Sequence, residues 1–497
     1  MSSESAANET LIRSVVEEVM GRLGGGAPSV PSPAAASPSA ASAAEPRRSG
    51  SSASLFGVFE DAHEACEAAA AAFRQLQQKG VAARRRVVEI VKEMAHAKAA
   101  EWGRLELDET KIGRLDHKIE KLQIIRLVPG VEFIQPYALS GDHGITHEEY
   151  TPFGVIGAVT PSTHSIPTIS GNVVNMVAAG NAVVFNPHPA AARCAAAAVR
   201  AYNEAIHRDL GIENLVCLIE HPTIESFKAL CADEHIRLLC VTGGPGVVKA
   251  AQQAGKRAIC AGPGNPPVLV AEDADPDQAA RHVIHGATYD NNLLCIGEKE
   301  VFVVDRVADA FLAALERNGA VRLQAAQLDK LTRAAFTFPP GQGAGCPHPV
   351  LNKDLVGKDA AVLARVAEAA VGTKTELLFA ETDASHPFVV EEQMMPFLPI
   401  VRVRDVAEGI VAAKNAEHGY RHTSIIHTTN VNYMTAMARA LDTTLFIKNG
   451  PCMAGLGLGG EGYLSYSIAT PTGEGVTNPK TFCRVRRCVM VDNLRIY

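Results

Sequence analysis

Residues 154–187 read GVIGAVTPSTHSIPTISGNVVNMVAAGNAVVFNP. The apolar runs GVIGAV and AVVFN each have the length and the valine content of a buried strand. VCLIE and IRLLCVT follow at 216–220 and 236–242, with helical stretches such as AAARCAAAAVRAYNEAI between the strands. Strand–helix alternation of this kind predicts a parallel sheet covered by helices on both faces, with ligands bound at the carboxyl ends of its strands. A second α/β pattern runs from about 275 to 470. Residues 58–104 are alanine-rich and helical in period. The tail RRCVMVDNLRIY reads as a strand with no partner of its own, a candidate for pairing across subunits.

The rest of the chain fits an ordinary folded protein. It has 497 residues, 47% hydrophobic and 20% charged, with a formal net charge of −7. That length implies two or three domains. Mild acidity without a basic run gives no reason to expect nucleic acid, and no apolar stretch is long enough for a bilayer. The N-terminus lacks a signal-peptide pattern, and the eleven cysteines include no C-x-x-C pair. Reduced thiols in the cytosol are therefore expected. Cys194, Cys217, Cys240 and Cys260 sit in Ala- or Val-rich runs and read as small buried hydrophobes. Cysteine, histidine and carboxylate spacings suggest no metal site.

Two further regions invite chemistry. No G-x-G-x-x-G fingerprint follows the first strand; the glycine-rich turn is instead VTGGPGVVKAA at 241–251, between a strand and a helix. Backbone N–H groups of Thr242, Gly243 and Gly244 could hold a phosphate there. The other region is DNNLLCIGEKEVFV at 290–303, which carries Cys295 ahead of a charged pair and an apolar strand. Near the start, Leu11, Ile12, Val15, Val16, Val19 and Leu23 recur at helical spacing, and Gly24–Gly26 end the run. An Ala/Ser/Pro tract to residue 54 reads as a flexible linker. A short amphipathic helix on such a tether has no core of its own and is expected to dock elsewhere.

The order of these pieces resembles the aldehyde dehydrogenase superfamily from about residue 55 to the C-terminus. Four motifs carry the resemblance: the 154–187 stretch, VTGGPG, AGPGNPPVLV at 261–270 and CIGEKEVFV at 295–303. The resemblance implies a Rossmann-like cofactor domain (55–135 and 152–268), an α/β catalytic domain (269–470) and a β oligomerisation extension (136–151 and 471–497). It makes Cys295 the nucleophile, and it places Thr163, with His164 beside it, where the family has an oxyanion-holding amide. Thr160, Pro161, Asn186 and Pro187 fall along the cofactor NAD, with Thr242, Gly243 and Gly244 at its diphosphate. Glu392 matches the glutamate on the nicotinamide ribose.

Hydrolytic members activate water with a glutamate; the matching position here is Ala261, 34 residues before Cys295 (295 − 261). General-base help is worth about a hundred- to ten-thousand-fold, so water should deacylate this enzyme slowly. A thiol attacks thioesters readily, which makes coenzyme A the expected acyl acceptor. TPSTHS, AAGNAVVFNPHP, EEQMMPFLPIVRV and GEGVTNPKTFCRVRRCVMVD resemble the coenzyme A-acylating enzymes of bacterial microcompartments. That likeness implies a short-chain aldehyde substrate (propionaldehyde or acetaldehyde), reversibility, a homodimer or homotetramer, and a place in the microcompartment lumen. Residues 8–23 would be the helix that docks on a shell protein. Competing readings are a hydrolytic aldehyde dehydrogenase, an acyl-phosphate reductase and a non-catalytic adaptor.

Overall fold

Both apolar runs of the 154–187 stretch are adjacent parallel strands in the computed structural model, which describes residues 56–338 and 349–492. A two-residue strand, Val58–Phe59 (β1), leads into a long helix, Ala62–Ala97 (α1), kinked where Gly80 takes φ 71°. Helices Ala99–Thr110 (α2) and Leu115–Gln123 (α3) follow. A hairpin of Tyr137–Gly141 (β2) and Gly144–Pro152 (β3) comes next. Then strands and helices alternate: Val155–Thr160 (β4), Ser165–Ala178 (α4), Ala182–Pro187 (β5), Ala192–Leu210 (α5), Val216–Ile219 (β6), Ile224–Ala232 (α6), Ile236–Thr242 (β7), Pro245–Gln252 (α7) and Ala258–Ala261 (β8).

These strands form one all-parallel sheet in the order β1-β6-β5-β4-β7-β8. Its inner strands are buried along nearly their whole length, as continuous apolar runs covered on both faces should be. Strand order reverses beside β4, so the carboxyl ends of β4, β5 and β7 open on one crevice.

A second all-parallel sheet has seven strands. Its centre is built by Pro267–Val270 (β9), Glu300–Val304 (β10), Phe397–Val403 (β11) and Thr423–His427 (β12). Helix Pro276–Thr288 (α8) crosses from β9 back to β10, and the turn at its end carries Cys295. The expected α/β architecture, with two separate parallel sheets, is the one observed.

One expectation needs correcting. The C-terminal strand, Cys483–Val491 (β13), is not unpaired: it runs antiparallel to β3 along its whole length. The result is a three-stranded sheet, β2-β3-β13. Its partner lies more than 330 residues earlier, where no local pattern could reveal it. The amphipathic run 8–23 and the linker 24–54 lie outside the described residues. Among the described residues, no helix is long and apolar enough to cross a membrane.

Candidate active site

Helix α8 stops at Thr288, and the chain then turns through three consecutive left-handed residues, Asp290 (φ 52°), Asn291 (φ 56°) and Asn292 (φ 63°). Asp and Asn tolerate this region better than other non-glycine residues, yet a run of three persists only if its surroundings hold it. Here they do. Asp290 pairs with the Lys121 ammonium, accepts the Arg114 N–H at 2.7 Å and donates its own N–H to His117 Nδ1 at 2.9 Å. Asn291 Nδ2 donates to Gly357 O and Asp359 Oδ1. Asn292 Nδ2 donates to Glu298 O at 2.8 Å. The buried Lys299 ammonium donates to the carbonyls of Asn292 (2.8 Å) and Leu294 (3.1 Å), gripping the backbone just ahead of Cys295.

Cys295 is half-buried, whereas Cys194, Cys217, Cys240 and Cys260 are buried free thiols, as their surroundings predicted. Burial pushes the Cys295 thiol up to about 12, and the Glu392 carboxylate adds to this. Lys299 and the N–H groups of Cys295 and Ile296 oppose the rise. The thiol is therefore neutral at physiological pH and needs a base.

Two groups stand close enough to matter. Gly264 presses against the backbone of Cys295: a Cβ there would lie 2.5 Å from Cys295 O and 2.9 Å from His422 Cγ. His422, just ahead of β12, thus shares one glycine surface with the backbone carbonyl of Cys295. It is fully buried, its Nδ1 lies 2.9 Å from Thr423 Oγ1, and its Nε2 has no partner. Burial, then the Lys299 charge, lowers its pKa to about 4, so the imidazole is neutral. Sequence reasoning missed His422; RHTSIIH reads as a strand entry, and nothing local marks it. The second group is Glu392. It is half-buried, and burial raises it to about 7 against the pull of Lys299 and the Gly264 N–H. Ala261, at the end of β8, offers only a buried methyl group.

On the oxyanion side, Thr163 Oγ1 lies 2.8 Å from His164 Nδ1. The threonine proton is free for an oxyanion only in the tautomer whose Nδ1–H donates to that hydroxyl. His164 is buried, and burial holds it well below the ordinary histidine range. The Thr163 carbonyl accepts from both Lys118 and Lys121 at 3.4 Å. Because Lys121 also holds Asp290, the loop of Thr163 and the turn that leads to Cys295 meet on one ammonium.

The crevice at the strand ends is a cavity of about 570 Å³. Thr160, Pro161, Asn186, Pro187, Thr242, Gly243 and Gly244 all line it, so the expected cofactor residues do converge. Glu392 is not in this wall; it lies with Cys295. One expected role changes. Gly243 is not a free donor, because its N–H goes to Ala261 O at 3.2 Å; the N–H groups of Gly244 and Gly246 are the ones without an acceptor among the described residues. Asn186 Oδ1 is already taken by the Ser226 hydroxyl at 2.6 Å. Pro222, Ile224, Phe227, Val247 and Ala250 supply apolar walls, and the Thr160 hydroxyl is buried without a partner. Apolar walls for a flat ring beside two free N–H groups at a helix start fit a dinucleotide or a nucleotide-bearing thiol. Among the described residues, no cluster of His, Cys, Asp or Glu could hold a metal.

Glu298, three residues after the nucleophile, gives a stability prediction. It is fully buried; Oε1 accepts the Cys452 N–H at 2.9 Å and Oε2 has no partner. Burial raises its pKa to about 7. The folded state then binds a proton that the unfolded state has lost, so its contribution falls as pH rises from about 4.5 through 7. Glu298→Gln, which keeps the acceptor, should remove that loss. Relative to wild type it should gain on the order of 3 kcal/mol at most by pH 8 and little at pH 5. Thermal melts across that range test this; parallel curves for the two proteins would reject it.

The aldehyde dehydrogenase family model matches residues 57–333. The chain is 45% identical to the acetaldehyde dehydrogenase (acetylating) of Salmonella typhimurium, over 88% of this chain and 93% of that one. It is 40% identical to the propanal dehydrogenase (CoA-propanoylating) of the same organism, with 88% and 93% covered. Among solved structures, it is similar to the Rhodopseudomonas palustris propionaldehyde dehydrogenase with bound CoA and an acylated cysteine (TM-score 0.85, 42% identity, 89% of this chain and 100% of that one). It is equally similar to a propionaldehyde dehydrogenase from the Clostridium phytofermentans fucose utilisation bacterial microcompartment (TM-score 0.85, 41% identity, 89% and 100% covered).

Proposed function

Because the chain belongs to the aldehyde dehydrogenase family, we propose that it oxidises a short-chain aldehyde, with NAD and coenzyme A, to an acyl-CoA. The observation that carries this reading is Ala261: the nucleophile turn is fully built, while the segment that would supply a water-activating carboxylate presents a methyl group. The activities named for the acetylating and propanoylating relatives support the same reading.

The chain's own groups then take these roles. In the tautomer that donates Nδ1–H to Thr423 Oγ1, His422 Nε2 carries a free lone pair and takes the Cys295 proton. The thiolate attacks the aldehyde carbon, forming a C–S bond and a thiohemiacetal oxyanion. The Cys295 N–H and the Thr163 hydroxyl stabilise that oxyanion. NAD, when bound, supplies the hydride acceptor. Gly244 and Gly246 N–H groups would hold its diphosphate, the apolar walls from Pro222 to Val247 its adenine, and Glu392 its nicotinamide ribose. Loss of hydride leaves a thioester on Cys295. The thiolate of coenzyme A attacks that carbonyl, breaks the C–S bond to Cys295 and returns the enzyme thiolate. A thioester is exchanged for a thioester of similar energy, so the sequence runs in both directions.

The setting follows the same line. Residues 8–23, tethered by the Ala/Ser/Pro linker, would dock on a shell protein in the lumen of a bacterial microcompartment. The β2-β3-β13 sheet exposes Tyr137, Leu139, Val485 and Val489, large apolar side chains that a second copy would cover in a homodimer or homotetramer.

A second reading rests on Glu392. A carboxyl near pKa 7 close to the cysteine could activate water, which would release a carboxylate. Steady-state NADH formation from propionaldehyde and NAD, with and without coenzyme A, separates the two. Coenzyme A-dependent turnover giving propionyl-CoA is expected. Equal turnover without it, with propionate accumulating, would reject the acylating reading and assign Glu392 as a base.

A further inference from the structure

Helix α3 and the residue that precedes it carry four attachments to the loops that hold residues 163 and 289–290. The Arg114 N–H, at its N-terminal edge, donates to Asp290 Oδ1. His117 Nδ1 accepts the Asp290 N–H, and the His117 ring stacks on Tyr289 with centroids 4.4 Å apart. Lys118 and Lys121, three residues apart on one helical face, both reach the Thr163 carbonyl at 3.4 Å. Lys118 also binds Glu106 Oε1 at 2.8 Å, and Glu106 Oε2 accepts the Ile166 N–H at 2.9 Å. That contact occupies the start of α4, which has no side-chain cap of its own. Gly113 sits so close that a Cβ there would lie 2.3 Å from Asp290 Oδ1.

Of these groups, Lys121 is the one whose ammonium touches both loops. It binds Asp290, the first left-handed residue of the nucleophile turn, and the carbonyl of Thr163 in the oxyanion loop. Its side chain is completely buried, as is that of Asp290. Two lysines and two carboxylates, fully enclosed, are an expensive way to fill a core that apolar side chains would fill as well. What an apolar core lacks is direction: a hydrogen-bonded ammonium fixes the angle and separation of the groups it joins. The mechanism above leaves these buried charges unused.

We propose that Lys121 is a positioning residue that sets the nucleophile turn in register with the oxyanion loop, so that Cys295 and Thr163 close on the same carbonyl. This rests on the reading that Cys295 acylates. Lys121 touches neither substrate nor cofactor; it acts through Asp290 and the Thr163 peptide. A displacement of about 1 Å between reacting groups can cost a hundredfold in rate, which is the size of effect expected.

The test uses the full-length enzyme in four forms: wild type, Lys121→Met, Lys121→Arg and the double variant Lys121→Met/Asp290→Asn. The double variant leaves no unpaired buried carboxylate and keeps the experiment informative if the single variant folds poorly. Amide hydrogen exchange is read by mass spectrometry over residues 161–166 and 289–295. The double variant should lose protection about tenfold or more in both segments, with the six-stranded sheet unchanged. Its kcat should fall about a hundredfold while the KM for NAD stays within about twofold. Lys121→Arg should recover part of both losses. Unchanged exchange in either segment, or a uniform loss across the protein, overturns the proposal. Wild-type enzyme that lacks coenzyme A-dependent turnover would instead overturn the acylating reading, and the exchange pattern then decides the role of Lys121 by itself.

Discussion

Cys295→Ala should abolish NADH formation, with a loss of about 10⁴-fold or more. The turn holding residue 295 is fastened through its backbone and through Asp290, Asn291, Asn292 and Lys299, none of which contacts require the thiol. The fold and the binding of NAD should therefore survive. No other described cysteine can take over. Cys452 is fully buried beside Glu298, and burial pushes its thiol well above the ordinary range. The exposed Cys488 lies on β13, in the three-stranded sheet rather than the crevice. NADH formation with saturating coenzyme A, together with NAD binding by fluorescence, checks the expectation. Retention of more than about one per cent of wild-type turnover would move the nucleophile elsewhere and end the proposed mechanism.

His422→Asn should be the next most damaging change, lowering kcat/KM by about 10²–10⁴. The reason is electrostatic. A thiol raised to about 12 is almost wholly protonated at pH 7, and the proposed base, neutral His422 with an unpartnered Nε2, touches the same glycine as the Cys295 carbonyl. Asparagine keeps much of the volume and can still bond Thr423. With a pKa near 4, the wild-type histidine stays neutral, with its lone pair available, from pH 5 upward, so the wild-type profile should show no acidic limb near the ordinary histidine value of about 6.5. The variant depends on hydroxide to ionise the thiol, so its rate should climb about tenfold per pH unit from 6 to 9. A loss smaller than tenfold, or a flat variant profile, would remove His422 from the proton path.

Much of this protein can be read along the chain. The switch between strand and helix periods across 154–242 defines a parallel sheet because each element is buried on its own account, and residues a few places apart decide each one. The expectations for Cys295, Ala261 and the lining of the crevice come from short motifs through their resemblance to the aldehyde dehydrogenase superfamily. LDHKIEKLQ, by contrast, reads as a solvated amphipathic helix, yet Lys118 and Lys121 are buried against carboxylates from Glu106 and from residue 290.

The chain order alone thus determined the α/β fold class and, through its family resemblance, the expectation that Cys295 is the nucleophile and that Ala261 leaves water without a base. Only the tertiary structure decided what surrounds Cys295. It put His422 on Gly264, withdrew the Gly243 N–H into a bond with Ala261, strung three left-handed residues between buried ammonium groups and paired β13 with β3. Each of these is a contact between segments far apart in sequence. A buried charge or an orphaned nitrogen acquires its meaning from the partner that folding brings to it, and no local pattern encodes that partner.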